Sequence, residues 1–338
     1  MKRAFITGVT GQDGAYLTRL LVEKGYEVHG GVRLPEAPDL TNLSALGMGR
    51  EVRLHRFDLD DPEGAATVLR TVRADEIYNL AAYSSVGLSW EHPIAVARTN
   101  ALSVAAMLNA LRDTGARFCQ ASTADMFGDV LGPMTEETPL SPLSPYGASK
   151  AYAHHLVNGF RSAFGMHASA AILFNHESPL RPPSFVTRKI TRGLARFAHG
   201  SNEPLVLGNV EACRDWGFAG DYVDAMWRMV DREQPSDYVV ATGTATSIRG
   251  FVDLTAEALD MSLEWEGEGS LTKARDRATG HVAVEVSERF YRLVDAKVVR
   301  GDASRARREL DWAPRVGVAE LAAMMVRADR DLLAREGL

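Results

Sequence analysis

The chain opens on a short apolar run, residues 3–7 (RAFIT), that stops at a glycine. Residues 14–24 then place Tyr16, Leu17, Leu20 and Leu21 at helical spacing, and Gly25 ends the pattern. A short apolar run bounded by turn residues predicts a buried strand, and apolar residues three and four apart predict an amphipathic helix. Strand character returns at 26–32, alternation at 51–57, helical spacing at 63–73, a buried strand at 76–82, a long helical stretch at 93–114 and a further strand at 116–121. Strand and helix alternate through the first half, which predicts an α/β fold with a parallel sheet covered by helices on both faces.

From about residue 170 the pattern changes. Pro179, Pro182 and Pro183 break the chain just after the strand-like AAILF. Helical segments are expected near 185–199, 219–231, 249–258, 303–310 and 317–335, with short strands at 204–207 and 237–241. The stretch 264–285 is polar and rich in Glu and Arg, and is expected to be a loop or a frayed segment. These changes predict two units: 1–173, and a smaller mixed unit, 174–338, closing over the carboxyl edge of the sheet, with chain crossings between them.

Composition narrows the class. A chain of 338 residues suits one large or two interlocked domains. The net charge of −6, with both signs interspersed, argues against a nucleic-acid surface but allows a local basic pocket for a phosphate. Cys119 and Cys213 form no metal-ligand pattern, so reduced thiols and no metal are expected. The opening MKRAFITGVTG is too short an apolar stretch for a signal peptide, and no apolar run is expected to reach membrane-spanning length. A cytoplasmic protein with no membrane partner is the expectation.

Candidate chemistry begins at Gly8, Gly11 and Gly14, three apart where the first strand meets the first helix. In that context the first glycine permits a sharp turn, the second lets backbone approach a pyrophosphate, and the third allows close helix–strand packing, while the helix N-terminus favours the anion. Three turn glycines without a ligand are the bland alternative. With the βα alternation, the turn predicts a Rossmann fold, a doubly wound parallel sheet holding a dinucleotide. No acid ends the second strand, where an NAD site places one for the ribose hydroxyl; Arg33 does, which suits the 2′-phosphate of NADP. A solvated arginine is the alternative, and Glu36 nearby keeps NAD possible. Asp58, after the third strand, is placed either to accept from the adenine amino group or to cap a helix.

Tyr146 and Lys150 form YGASK at the start of a helix, one turn apart on one face. A nearby ammonium is expected to lower the phenol's pKa, so that Tyr146 takes a hydroxyl proton as a hydride leaves the same carbon. Ser122 and Thr123, at a strand end upstream, offer hydroxyls to the reacting oxygen, and Asp125 offers a carboxylate that can move a proton beside a ketone or merely shape a turn.

The segments TGVTGQDGAYL, DEIYNLAA, QASTADMFG, SPYGASKAYA, ILFNHESPLR, FVTRKITR, CRDWGFAGDYVDAMW and GDASRARRELDWAPRV make the chain similar to the GDP-mannose 4,6-dehydratase family over nearly its whole length. The resemblance implies a tightly held NADP and a GDP-hexose bound by the C-terminal unit. It also implies an internal redox cycle: hydride leaves sugar C4, water is eliminated across C5–C6, and hydride returns to C6. It makes Thr123, Asp125, Tyr146 and Lys150 catalytic, and gives cofactor contacts to Gly8, Gly11, Gln12, Asp13, Gly14, Arg33, Asp58, Leu59, Leu80, Ala81, Tyr146 and Lys150. Ser84, Asn175, Glu177, Val186, Lys189, Arg214 and Arg292 become substrate contacts, Val186 and Lys189 toward guanine and the two arginines toward the diphosphate. A homodimer, or a tetramer, is implied.

The chain departs from the family where Ala124 and Asp125 replace a serine and a glutamate, where Tyr83, Ser84 and Ser85 replace Gln-Ser-His, in the loop after Arg33, and where Leu293 and Asp295 replace a proline and a glutamate. A carboxylate one methylene shorter shifts a proton acceptor by about an ångström, and a misplacement of that size costs on the order of a hundredfold in rate. These departures leave room for a GDP-sugar 4-epimerase, which needs no carboxylate for elimination, or for a dehydratase of a longer-chain GDP-sugar. A non-catalytic nucleotide-sugar sensor is a third alternative.

Overall fold

The computed structural model describes residues 1–291 and 296–337; Arg292, Leu293 and Asp295 lie outside them. The first half supplies strands β1 (Arg3–Thr7), β2 (Glu27–Val32), β3 (Val52–Arg56), β4 (Glu76–Asn79), β5 (Arg117–Thr123) and β6 (Ala168–Leu173). Strands β7 (Asn175–Glu177), β8 (Leu205–Leu207), β9 (Cys213–Phe218), β10 (Tyr238–Val240) and β11 (Ala245–Ser247) follow, then β12 (Leu263–Glu266), β13 (Lys273–Asp276), β14 (Val282–Val286) and β15 (Val298–Val299). The main sheet has seven parallel strands in the order β10-β6-β5-β4-β1-β2-β3.

Helices Gln12–Glu23 and Ala219–Asp231 cover one face of this sheet with Leu17, Leu21, Val223, Met226 and Met229. Helices Pro62–Val72, Ser103–Leu111 and Pro145–Phe164 cover the other with Leu69, Val72, Met107, Leu108, Leu111 and Val157. Double coverage explains why β4 and β6 are buried at every position, whereas the edge strand β3 alternates between half-buried and exposed. The doubly wound sheet predicted from the alternation is the fold observed. Its seventh strand, β10, comes from the C-terminal half, and helix Ser304–Leu310 packs beside it.

The remaining chain builds two small sheets. One runs β11-β9-β15 with β7 beside β9, and the other β12-β13-β14-β8. Helices Val186–Ala198, Ile248–Glu257 and Val318–Glu336 pack together over a separate core of Ile190, Leu194, Trp216, Phe251, Leu321 and Met325.

Two expectations are corrected. The stretch 264–285 carries β13, most of β12 and most of β14 in antiparallel pairing rather than a loop. Its charged residues alternate with Trp265, Ala274 and Val284, so a charged outer face masks the period of a half-buried sheet. The stretch Pro93–Leu111 is, by length and composition, apolar enough to cross a membrane. Half of it is buried within the protein, against helices Pro62–Val72 and Pro145–Phe164, so it is a core helix. It is not a continuous α-helix: residues Arg98–Leu102 form a π-helical turn. That turn carries Asn100, whose Oδ1 accepts from Tyr83 N at 2.8 Å and whose Nδ2 donates to Tyr83 O at 3.0 Å.

Candidate active site

Strands β1, β4, β5 and β6 end side by side at Thr7, Asn79, Thr123 and Leu173, the carboxyl edge where doubly wound sheets bind ligands. Polar side chains tie these ends together. Thr7 Oγ1 donates to Asn79 Oδ1 (2.7 Å), Asn79 Nδ2 to Gln120 Oε1 (2.9 Å), and Gln120 Nε2 to the carbonyl of Ala121 (3.0 Å). Thr7 Oγ1 also accepts from the amides of Leu80 and Ala81, each at 3.0 Å, which fixes the loop after β4.

At the end of β1, Gly8 has φ of +67°, and a Cβ there would lie 3.0 Å from the backbone of Ala81. A Cβ at Gly14 would lie 2.6 Å from Val9 Cα, so the first helix packs on the turn only if it carries glycine there. Gly11 caps that helix with no side-chain acceptor, leaving its first amides open to an anion. Gln12 reaches across to the second unit, with Nε2 donating to His176 O at 3.2 Å and Oε1 accepting from Ser178 Oγ at 2.8 Å.

A cavity of about 600 Å³ opens above this edge. Asp13, Leu80, Ser84, Thr123, Asp125, Tyr146 and Lys150 wall it on the sheet side, and Asn175, Glu177, Val186, Lys189 and Arg214 on the other. Residues from widely separated segments thus share one space. Leu59 is buried, and Asp58 accepts from Asp60 N at 3.0 Å. The capping role considered for Asp58 belongs instead to Asp61, which accepts from Gly64 N at the start of helix Pro62–Val72. Arg33 and Glu36 are both exposed beyond the tip of β2.

Tyr146 sits in the first turn of helix Pro145–Phe164, capped by Ser144, which accepts from Gly147 N at 3.1 Å. A Cβ at Gly147 would lie 2.5 Å from the carbonyl oxygen of Asp125, so this glycine lets the helix meet the turn carrying Thr123 and Asp125. In that turn Thr123 Oγ1 lies 3.2 Å from Asp125 Oδ2 and accepts from Asp125 N at 3.3 Å. The Ser122 hydroxyl is bound instead to His154 Nδ1 at 3.3 Å. Asn100 Nδ2 donates to Ser149 Oγ at 3.3 Å, tying the same helix to the loop at Tyr83.

The electrostatics depart from the sequence expectation. Lys150 directs its Nζ at Ala121 O, 2.7 Å away, and burial lowers its pKa to about 8. The Tyr146 phenol is not lowered: burial, with the Asp125 carboxylate adding to it, pushes it well above its ordinary range, against a smaller opposing pull from Thr123 and Arg181. In the protein alone, desolvation of the phenolate outweighs the neighbouring cations.

Two basic side chains in the cavity were missed. His176 lies between Asn175 and Glu177 on β7, with Nε2 2.8 Å from Asp13 Oδ2 and Nδ1 2.8 Å from Phe174 O. Arg181 stands 3.0 Å from Glu177 and over the ring of Phe185, 3.7 Å from its centroid. Both belong to the FNHESPLR segment, but the partner of His176 is 163 residues away, which no local pattern reveals. Toward the other end, Lys189 lies 3.9 Å from the centroid of Phe290, and Arg214 Nη1 donates to Cys213 O and Ala296 O.

Residues 5–325 match the family model described as GDP-mannose 4,6 dehydratase. The chain belongs to the GDP-mannose 4,6-dehydratase family. A GDP-mannose 4,6-dehydratase of Sinorhizobium fredii is 44% identical over 98% of this chain and 97% of its own length. The human GDP-mannose 4,6 dehydratase is 40% identical over 98% and 92%. Among solved structures, a dTDP-glucose 4,6-dehydratase from Bacillus anthracis, in complex with NAD, has a TM-score of 0.81 at 17% identity, covering 98% of this chain and 97% of that one. At that identity the likeness is one of fold, which it shares with this family.

Proposed function

We propose that this chain is a nicotinamide-dependent enzyme that converts GDP-mannose to its 4-keto-6-deoxy product by loss of water. The observation that carries the proposal is the convergence of Thr123, Asp125, Tyr146 and Lys150 in one cavity, between a glycine turn suited to a pyrophosphate and a wall holding Lys189 and Arg214. The turn fits a dinucleotide: side chains at Gly8 and Gly14 would fill it, and the adjoining helix offers uncapped amides. Gly11, Gln12, Asp13, Asp58, Leu59, Leu80 and Ala81 complete that binding region. Arg33 favours NADP, with Glu36 as the competing acid.

When bound, the nicotinamide supplies a hydride acceptor that later returns the hydride to the sugar. Tyr146 takes the proton of the sugar's 4-hydroxyl, oriented by Thr123, as C4 becomes a ketone. That ketone acidifies the C5 proton, which Asp125 removes as the C6 hydroxyl leaves as water. The proton taken by Asp125 leaves with the C6 hydroxyl in that water; when hydride returns to C6, a proton from Tyr146, exchanged with solvent, is added at C5, and O4 stays the carbonyl oxygen of the 4-keto product. Lys150, fixed by Ala121 O, holds the ribose beside the reacting carbon. We assign Val186 and Lys189 to the guanine, Arg214 to the diphosphate, and Ser84, Asn175 and Glu177 to the sugar end; Arg292, outside the described residues, is assigned to the diphosphate by the resemblance alone. We assign the cofactor to residues 1–173 and the sugar nucleotide to 174–338, in a cytoplasmic homodimer or tetramer. Exposed Trp90, Ile94, Leu102 and Tyr152 on neighbouring helical segments offer an apolar contact for a second copy.

The epimerase, longer-chain and sensor alternatives are not favoured, because relatives named GDP-mannose 4,6-dehydratase match at 40–44% identity over almost the whole chain. Mass analysis after incubation with GDP-mannose tests the proposal. The expected product has lost one water and carries solvent deuterium at C5, and Asp125→Asn stops water loss while the sugar still reduces the cofactor. A product of unchanged mass that keeps its C5 hydrogen would overturn the assignment in favour of a 4-epimerase.

A further inference from the structure

Helix Val186–Ala198 forms part of the cavity wall opposite the sheet, and two residues of its first turn, Val186 and Lys189, line the cavity. They stand three apart and so share one face. Among the described residues, no side-chain cap fixes where this helix starts. Exposed Pro182, Pro183 and Ser184 precede it, and its N-cap, Phe185, makes no side-chain hydrogen bond. The first turns are held from another side. Arg188 and Thr191, also three apart, are buried against helix Val318–Glu336. There the fully buried Asp329 accepts from Arg188 Nε on Oδ1 at 2.9 Å and from Thr191 Oγ1 on Oδ2 at 2.7 Å, while Arg188 Nη2 lies 2.8 Å from Oδ1. Arg188 Nη1 donates to Pro179 O, in the segment that leads into the helix.

Attraction between the two helices does not require these bonds. Ile190 and Leu194 already share an apolar core with Leu321 and Met325. A buried ion pair adds little net stability over apolar residues of like volume, because desolvation offsets most of its attraction. What it adds is direction. Two guanidinium nitrogens on one oxygen and a hydroxyl on the other are satisfied in one register of the helices. A slip by one residue would turn the helix by about 100° and carry Val186 and Lys189 off the cavity wall. We propose that Asp329, outside the cavity lining, is a positioning residue for nucleobase selectivity: through Arg188 and Thr191 it sets the register of helix Val186–Ala198, and so the placement of Val186 and Lys189 against the guanine. This rests on the assignment of Val186 and Lys189 to the base.

The test measures Kd for GDP, UDP and NADP, with kcat and KM for GDP-mannose, in the parent protein and in Asp329→Asn, Thr191→Val and Lys189→Ala. Loss of a base contact by displacement weakens binding by about tenfold. Asp329→Asn should therefore lower the ratio of Kd for UDP to Kd for GDP by about tenfold and raise KM by about as much, with kcat within about threefold and NADP affinity within about twofold. Thr191→Val, which nearly keeps the shape and removes one bond, should lower the ratio by about threefold, and it carries the test if the asparagine variant does not fold. A ratio that stays at the parent's value while the unfolding midpoint falls would overturn the proposal and leave Asp329 with a purely structural role. Equal losses for GDP and UDP would overturn it as well. Lys189→Ala separates the two assignments. A ratio lowered there but not in the Asp329 and Thr191 variants overturns the positioning role alone; a ratio unchanged in Lys189→Ala overturns the base assignment and the proposal with it.

Discussion

The pairing of Asp13 with His176 joins the first turn of helix Gln12–Glu23 to strand β7, and its removal should have a pH signature. Burial alone would raise the Asp13 carboxyl, but the charge and hydrogen bond of His176, with a further bond from Gln12, bring it down from 3.8 to about 2. At about 1.4 kcal/mol per pH unit, that displacement corresponds to about 2 kcal/mol. Burial likewise opposes the charged form of His176, yet Asp13 holds its pKa above the ordinary 6.5, against a smaller opposing effect of Arg181. The sign follows from both partners. Asp13 is depressed in the folded state, so its contribution is present above about pH 4 and fades as pH falls toward 2. His176 is raised, so its contribution is complete below about pH 6.5 and fades as pH rises through the higher folded value. The two describe one interaction and are counted once.

His176→Leu keeps an apolar body against Tyr222, on which the imidazole stacks at 4.9 Å, but leaves the Asp13 charge buried without its partner. The expected loss is about 3 kcal/mol near pH 5.5, read from urea unfolding followed by tryptophan fluorescence. As pH rises through the raised folded-state value of His176, the difference between the two proteins should shrink, because the parent loses its imidazolium there. A difference below about 0.5 kcal/mol, or one that stays constant across that range, would refute the assignment of an ion pair.

Tyr146→Phe should abolish turnover while nucleotide-sugar affinity changes little, since it removes one proton acceptor and keeps the ring; unchanged turnover would remove Tyr146 from the chemistry. Lys150→Ala should reduce both turnover and the cofactor retained on purification, because its buried ammonium donates to Ala121 O of β5 and is proposed to hold the ribose as well. Mass analysis of cofactor released from the purified protein should show NADP(H) over NAD(H), and Arg33→Ala should narrow that preference. Release of NAD(H) alone would point to Glu36 as the group reading the ribose.

Much of this was legible locally. The period of Leu17 and Leu21, the run at Phe5 and Ile6, and the glycines at 8, 11 and 14 each depend on residues within one or two turns of one another. Such patterns record whether a segment has one buried face or two, and the doubly wound sheet follows from their alternation. Tyr146 and Lys150 are four residues apart on one helix, so their shared face is a property of the sequence itself. The segment 264–285 was less legible, because a sheet with a charged outer face presents loop-like composition when its apolar residues are sparse.

Tertiary structure alone decided the electrostatics and the company each residue keeps. The sequence placed an ammonium near a phenol, but only burial and the approach of Asp125 determined that the phenol is raised rather than lowered. Asp13 and His176 shift each other's titration although they stand 163 positions apart in the chain, and Arg181 meets Glu177 and Phe185 only once the segment after β7 has folded. Local propensity depends on neighbours in the chain, whereas desolvation and Coulomb energy depend on neighbours in space, and it was chain closure that set the latter.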